Sequence, residues 1–224
     1  MSTEAANTVK AILFDLDGTF ADTAPDMARA LNVIRHRHGL TALPLSAVRP
    51  HVSHGARGML EVGFGISPQH ATFAELRDAF YDEYQQNVCV ESALFEGIES
   101  LVSALEQHGI AWGIVTNKAA RFALPIAQAL GFAERAGCIV CGDSTAHTKP
   151  HPAPLLHAAE LIGIAPGDTL YVGDDARDIQ AAHAAGMRGV VAAYGYIGVD
   201  ADPRQWGAAF SIDAPSDLKA LVCG

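Results

Sequence analysis

Asp15 and Asp17 stand two residues apart at the end of a short apolar run, Ala11-Ile12-Leu13-Phe14, and are followed by Gly18 and Thr19. Paired carboxylates at a tight turn can supply a nucleophile, a general acid/base, or oxygen ligands for a hard divalent cation. Gly18 lets the backbone turn sharply and come close to a ligand. Asp-Gly is also a common turn dipeptide, so this pattern alone would fit an ordinary turn capping a strand. Three further pieces downstream, in order, weigh against that.

Ile114-Val115-Thr116-Asn117-Lys118 closes a strand pattern and precedes a helical one. The Thr116 hydroxyl, with Asn117 and nearby backbone N–H groups, can therefore hold phosphate oxygens at a positive helix end. Helix capping by Thr116 or Asn117 fits the same residues. Thr148-Lys149-Pro150 sets a lysine before a proline, which biases Lys149 toward extended backbone and can direct its side chain inward. A solvated surface lysine is the ordinary alternative. Tyr171-Val172-Gly173-Asp174-Asp175-Ala176-Arg177-Asp178 supplies three aspartates after another apolar strand, one of them suited to cap the following helix.

The elements that must position these residues follow from the pattern. Ala11 to Phe14 read as a parallel strand covered on both faces, and in open α/β sheets ligands bind outside the carboxyl ends of the strands. After Thr23 the text turns helical, with Met27, Ala30, Leu31 and Ile34 at helical spacing, and helices are expected over 55–62 and 74–88. Residues 23–92 thus read as an all-α insertion beside the site, placed to exclude water and read a substrate. From Phe95 a βαβ rhythm sets in, with helices expected over 98–108, 119–130, 154–162, 176–185 and 216–222. Strands are expected over 110–116, 137–141, 169–172, 189–192 and 209–212. Alternation of this kind predicts a doubly wound parallel α/β sheet, with a core of 1–22 and 93–224.

A net charge of −10 with no Lys/Arg-rich run argues against nucleic acid as a partner. No apolar stretch is long enough to span a bilayer, and residues 1–8 show no basic region followed by an apolar one, so a cytoplasmic protein with no membrane partner is expected. Cys89, Cys138, Cys141 and Cys223 are scattered. Cys138-Ile139-Val140-Cys141 reads as strand, which sends its two thiols to opposite faces, and no second ligand pair follows.

The set Asp15-Leu16-Asp17-Gly18-Thr19, Thr116, Lys149-Pro150 and Gly173-Asp174 with Asp178 resembles the four motifs of the haloacid dehalogenase (HAD) superfamily of phosphatases. The resemblance spans essentially the whole chain and includes a helical cap after the first strand, as in the phosphoglycolate phosphatase-like branch. Phe20 replaces the usual leucine and Thr23 stands where serine is common.

The resemblance implies a Rossmann-like core and a Mg²⁺-dependent phosphatase in which Asp15 forms an aspartyl-phosphate and Asp17 acts as general acid and then base. It implies Mg²⁺ held by Asp15, the Asp17 carbonyl and Asp174, with Asp175 and Asp178 as further candidates. Lys149 would pair with Asp15 and the phosphoryl group, and Thr116 would bond a non-bridging oxygen. Asp17 and Asp174 argue against dehalogenation. The absence of lysine from Thr23 to Leu94 removes the Schiff-base route of phosphonate-cleaving relatives. A sugar-phosphate mutase of this fold and a non-catalytic phosphate-binding protein stay open as alternatives.

Substrate choice is expected in the insertion, at Ser53-His54-Gly55-Ala56-Arg57-Gly58, where Arg57 can form a bidentate pair with a carboxylate or phosphate. An exposed helix arginine is the plain alternative. Several stretches, among them Ser53 to Met59 and Tyr194-Gly195-Tyr196-Ile197, are similar to N-acetylmuramic acid 6-phosphate phosphatases. The expected partner is a small phosphate monoester, either that sugar or 2-phosphoglycolate, and the expected assembly a monomer or homodimer.

Overall fold

The computed structural model of the chain describes residues 9–199 and 201–223; the expectation drawn from residues 1–8 lies outside them. Its strands are β1 (Ala11–Phe14), β2 (Ala21–Asp22), β3 (Ala93–Leu94), β4 (Ala111–Val115), β5 (Ile139–Val140), β6 (Thr169–Gly173), β7 (Arg188–Ala192) and β8 (Phe210–Ile212). Its α-helices are α1 (Ala24–Arg37), α2 (Leu45–Val48), α3 (Gly55–Phe64), α4 (Phe73–Gln86), α5 (Ile98–Gln107), α6 (Ala120–Ala129), α7 (Ala153–Ile162), α8 (Ala176–Ala184) and α9 (Pro215–Cys223).

Six strands form a sheet in the order β5-β4-β1-β6-β7-β8, every pair parallel. The fully buried β1 lies between β4 and β6 because its side chains are apolar on both faces. Leu13 packs with Val115, Tyr171, Leu155 and Ala181 beneath α7 and α8. Ile12 and Phe14 point the other way, into a core shared with Leu101, Phe122 and Leu218 of α5, α6 and α9. Cys138 and Cys141 fall one in each core, as strand geometry requires, and both thiols are free. Phe20 is filled in tightly, its ring stacked on Trp112 at 5.5 Å and edge-on to Phe132 at 4.9 Å.

The α/β assignment and the order of its elements match the sequence reading, apart from a residue or two at element ends and the four-residue helix α2, which that reading did not contain. The two-residue strands β2 and β3 carry no periodic signal and are not legible in the sequence. They pair antiparallel where the chain leaves the sheet and returns to it, with Ala21 opposite Leu94 and Asp22 opposite Ala93. Between them α1 packs against α3 and α4, burying Met27, Leu31 and Ile34 with Met59, Leu60, Phe80 and Tyr84. Asp26, in the first turn of α1, fastens the return segment: its Oδ2 accepts the N–H groups of Val90, Glu91 and Ser92 at 2.9, 3.0 and 2.8 Å. Among the described residues no helix is long and apolar enough to cross a membrane.

Candidate active site

Because β4, β1 and β6 are neighbours in register, the residues just past their C-terminal ends meet. Phe14 lies opposite Ile114 on one side and Val172 on the other, so Asp15, Thr116 and Asp174 converge. The ladder continues into the site: Asp15 donates its N–H to the Val172 carbonyl and Thr116 donates to that of Val140, both at 2.9 Å. Thr116 is buried. Neither Thr116 nor Asn117 caps the following helix, whose N-cap is Ala119. The Thr116 hydroxyl instead accepts the Lys118 N–H at 3.1 Å, and Ala120 N–H goes to Asp143.

Lys149 is the buried cation of the site. Its Nζ lies 2.8 Å from Asp15 Oδ1 and 2.7 Å from Asp178 Oδ1, and it donates to Tyr171 Oη at 2.7 Å and to the Val115 carbonyl at 3.1 Å. Asn117 fixes the loop that carries it. The Asn117 amide donates to the Lys149 carbonyl at 3.0 Å and its Oδ1 accepts the Lys149 N–H at 2.9 Å. That exchange commits the Asn117 carbonyl oxygen and one of its N–H groups to positioning Lys149, whereas the sequence offered Asn117 as a substrate ligand.

Carboxylate oxygens of Asp15, Asp174 and Asp178 lie within 4.8 Å of one another, all three residues buried. Burial raises the Asp15 carboxyl to about 6, with Lys149 working against the rise and Asp178 with it. Asp174 is held well above the usual carboxylate range by burial and by the charges of Asp15 and Asp178. Three close carboxylates against one ammonium leave an excess of buried negative charge. A hard divalent cation with oxygen ligands offsets such an excess, so the donor set fits Mg²⁺.

The surrounding residues aim these carboxylates. Asp174 accepts the Thr19 hydroxyl at 3.0 Å, the Tyr196 N–H at 2.8 Å and the hydroxyl of Ser53, from the inserted helical segment, at 3.2 Å. Asp178 Oδ2 accepts the Asp175 N–H at 3.1 Å. Asp175 itself caps α8 and pairs with Arg177 at 2.8 Å, so of the two residues left open by the sequence it is Asp178 that joins the cluster. Arg177 also donates to the Ser53 carbonyl at 2.8 Å.

Asp17 sits at the edge of the cluster. Its Oδ1 accepts a short hydrogen bond from Thr23 and lies 2.8 Å from Lys118 Nζ. Burial acts to lower the Lys118 ammonium, but the Asp17 carboxylate beside it wins and holds it above its ordinary range. Lys118, Tyr171, Thr19 and Tyr196 were not assigned from the sequence. Each is a common residue type whose role depends on a partner far along the chain.

The site opens into a cavity of about 560 Å³, lined by Asp15, Asp17, Thr116 and Lys118 at the sheet end and by Phe73, Phe80, Tyr81 and Tyr84 of α4. Exposed Arg57, near the start of α3, lines the same cavity.

A family model described as haloacid dehalogenase-like hydrolase matches residues 12–192. The chain is 44% identical over 210 residues to the N-acetylmuramic acid 6-phosphate phosphatase of Pseudomonas aeruginosa, covering 94% of this chain and 93% of that protein. It is 44% identical over 209 residues to the phosphoglycolate phosphatase of Xanthomonas campestris, covering 93% and 94%. A solved structure described as a predicted phosphoglycolate phosphatase from Haemophilus somnus matches with a TM-score of 0.83 at 28% identity, over 97% of this chain and 99% of that one. With its strand-end carboxylates, buried lysine and inserted helices, the chain belongs to the haloacid dehalogenase-like hydrolase family.

Proposed function

We propose that this phosphoric monoester hydrolase cleaves N-acetylmuramic acid 6-phosphate in preference to 2-phosphoglycolate, through an aspartyl-phosphate formed on Asp15. The substrate reading is carried by the cavity. A two-carbon acid phosphate would fill a small part of about 560 Å³, whereas a sugar with an acyl and a lactyl group fills much of it and meets the aromatic wall of α4. Relatives bearing both names share the same identity with this chain, so similarity does not separate the two substrates.

In this reading an Asp15 carboxylate oxygen attacks phosphorus and the ester bond breaks. Asp17 gives its proton to the departing alkoxide, then takes one from the water that cleaves the acyl phosphate and returns Asp15 as a carboxylate. Thr116 and Lys149 bind the phosphoryl oxygens, and Lys149 offsets the charge that Asp15 and phosphate bring together. Asp15, the Asp17 carbonyl and Asp174 would hold Mg²⁺, which would supply positive charge to offset that of the phosphoryl oxygens. Residues 23–92 act as the cap, and Arg57 pairs with the substrate carboxylate.

The test is phosphate release from both substrates in parallel, with Mg²⁺ and with EDTA. A kcat/KM at least about tenfold higher for the sugar, lost in EDTA, is expected. A preference for 2-phosphoglycolate would reverse the substrate assignment. Undiminished turnover by Asp15→Asn would remove Asp15 as nucleophile.

A further inference from the structure

Lys118 is a charged side chain, 7% exposed, for which the mechanism above has no use. It stands two residues past Thr116 at the end of β4, and its ammonium is placed by three groups on three different segments. Asp17 Oδ1 lies at 2.8 Å, Met27 Sδ of α1 at 3.8 Å, and the centre of the Tyr84 ring of α4 at 5.0 Å. Desolvating a lysine for an ordinary surface ion pair would be a net cost. Here the ion pair ends on the carboxylate that must transfer a proton, and the same ammonium meets Met27 and Tyr84 of the inserted helices.

Both strong donors on Asp17, Lys118 Nζ and the Thr23 hydroxyl, take the same oxygen, Oδ1. The plane of the carboxylate is thereby set, and the second oxygen, Oδ2, is the one left to meet a substrate in the cavity that Asp17 lines. A hydroxyl alone would fix a distance; an ammonium on a second strand end adds a second direction. Met27 and Tyr84 then limit where that ammonium can move.

We propose that Lys118 is the positioning residue for Asp17: by holding Oδ1 it aims Oδ2 at the leaving oxygen, and through Met27 and Tyr84 it ties that aim to the seating of the inserted helices. The proposal rests on the phosphatase reading, in which Asp17 protonates the leaving group. It makes no use of Lys118 as a phosphate or carboxylate ligand.

Leaving-group dependence tests it. An alkyl phosphate needs a proton on its departing oxygen, whereas 4-nitrophenyl phosphate departs as a stable anion and needs little help. Lys118→Met should lower kcat on the alkyl ester at least about tenfold more than on the aryl ester, with KM for either changed less than about threefold. The double variant Asp17→Asn/Lys118→Met should be no slower on the alkyl ester than Asp17→Asn alone, since a positioning residue has nothing left to position. Lys118→Gln, which keeps an N–H donor on a side chain one atom shorter, should recover part of the alkyl-ester kcat and gives the same comparison should the methionine variant not fold.

Equal loss on both esters, additive loss in the double variant, or a change confined to KM for carboxylated substrates would each overturn the proposal. Absence of metal-dependent release by the unmodified enzyme from every ester tried is a different result. It would sink the phosphatase reading and the proposal with it.

Discussion

Asp178 Oδ1 lies 2.7 Å from Lys149 Nζ, and both side chains are only 2% exposed. Asp178 thus counters the charge of Lys149, the lysine paired with Asp15, while its Oδ2 closes the capping box of α8 with Asp175. Asp178→Ala strips Lys149 of one of its two carboxylates and α8 of half its capping box, and should destabilise the fold by about 3–5 kcal/mol. Asp178→Asn retains an acceptor at the same place and should cost less than half as much. Urea unfolding midpoints at unchanged m-value measure both; a loss under about 1 kcal/mol for the alanine variant would show that the pair is not a stability element.

The metal-free protein should lose stability as pH rises. The Asp15 carboxyl is raised from 3.8 to about 6 in the fold, so the folded state binds more protons than the unfolded state between those values. Stability tied to this group is full below about pH 4 and falls as pH climbs through about 6, by on the order of 3 kcal/mol, because each tenfold difference in proton affinity between the two states is worth roughly 1.4 kcal/mol. In EDTA, therefore, Asp15→Asn should gain on the unmodified protein as pH goes from 4.5 to 7.5. Thermal midpoints of the two at several pH values decide it, and a gap that is flat or that narrows would refute the sign.

Mg²⁺ offsets the same charge excess, so it should raise the thermal midpoint of the unmodified protein at pH 7.5 more than at pH 5. Asp174→Asn, which removes a carboxylate of the cluster, should cut that rise by more than half. A rise independent of both pH and Asp174 would place the ion elsewhere.

Gly18 is required twice over. Its φ is +83°, and a Cβ built on it would stand 2.2 Å from Asp174 Oδ2 and 2.7 Å from the Tyr196 ring. Gly18→Ala should push Asp174 out of place, weakening Mg²⁺ binding about tenfold or more by titration calorimetry and lowering kcat with it. Retention of both would mean that the turn relaxes without moving the cluster.

Arg57→Ala should raise KM for a carboxylated substrate about tenfold or more, the loss of a charged hydrogen-bonding partner, and should affect 4-nitrophenyl phosphate much less. Equal effects on the two would remove Arg57 as the reader of the carboxylate.

Strand-end chemistry was legible in the sequence because it is local. An apolar run entering Asp15-Leu16-Asp17-Gly18, or Tyr171-Val172 entering Gly173-Asp174, carries both the burial of the strand and the place where it ends. The helical periodicity of Met27, Ala30, Leu31 and Ile34 likewise marks a buried face, and all four are buried in α1. The N-cap role among the three aspartates was foreseen, but only the structure gave it to Asp175 and turned Asp178 toward Lys149.

Sequence alone therefore determined the α/β order, the main inserted helices, and the three strand ends and one lysine loop where reactive groups gather, because each is written within a few residues of chain. Tertiary structure alone decided which groups touch. Lys118 meets Asp17 across 101 positions, Tyr196 meets Asp174 across 22, and Ser53 meets Asp174 across 121. No spacing rule reaches that far. These contacts exist because β4, β1 and β6 are neighbours in one sheet and because the β2–β3 crossing sets the helices over the C-terminal ends of those strands.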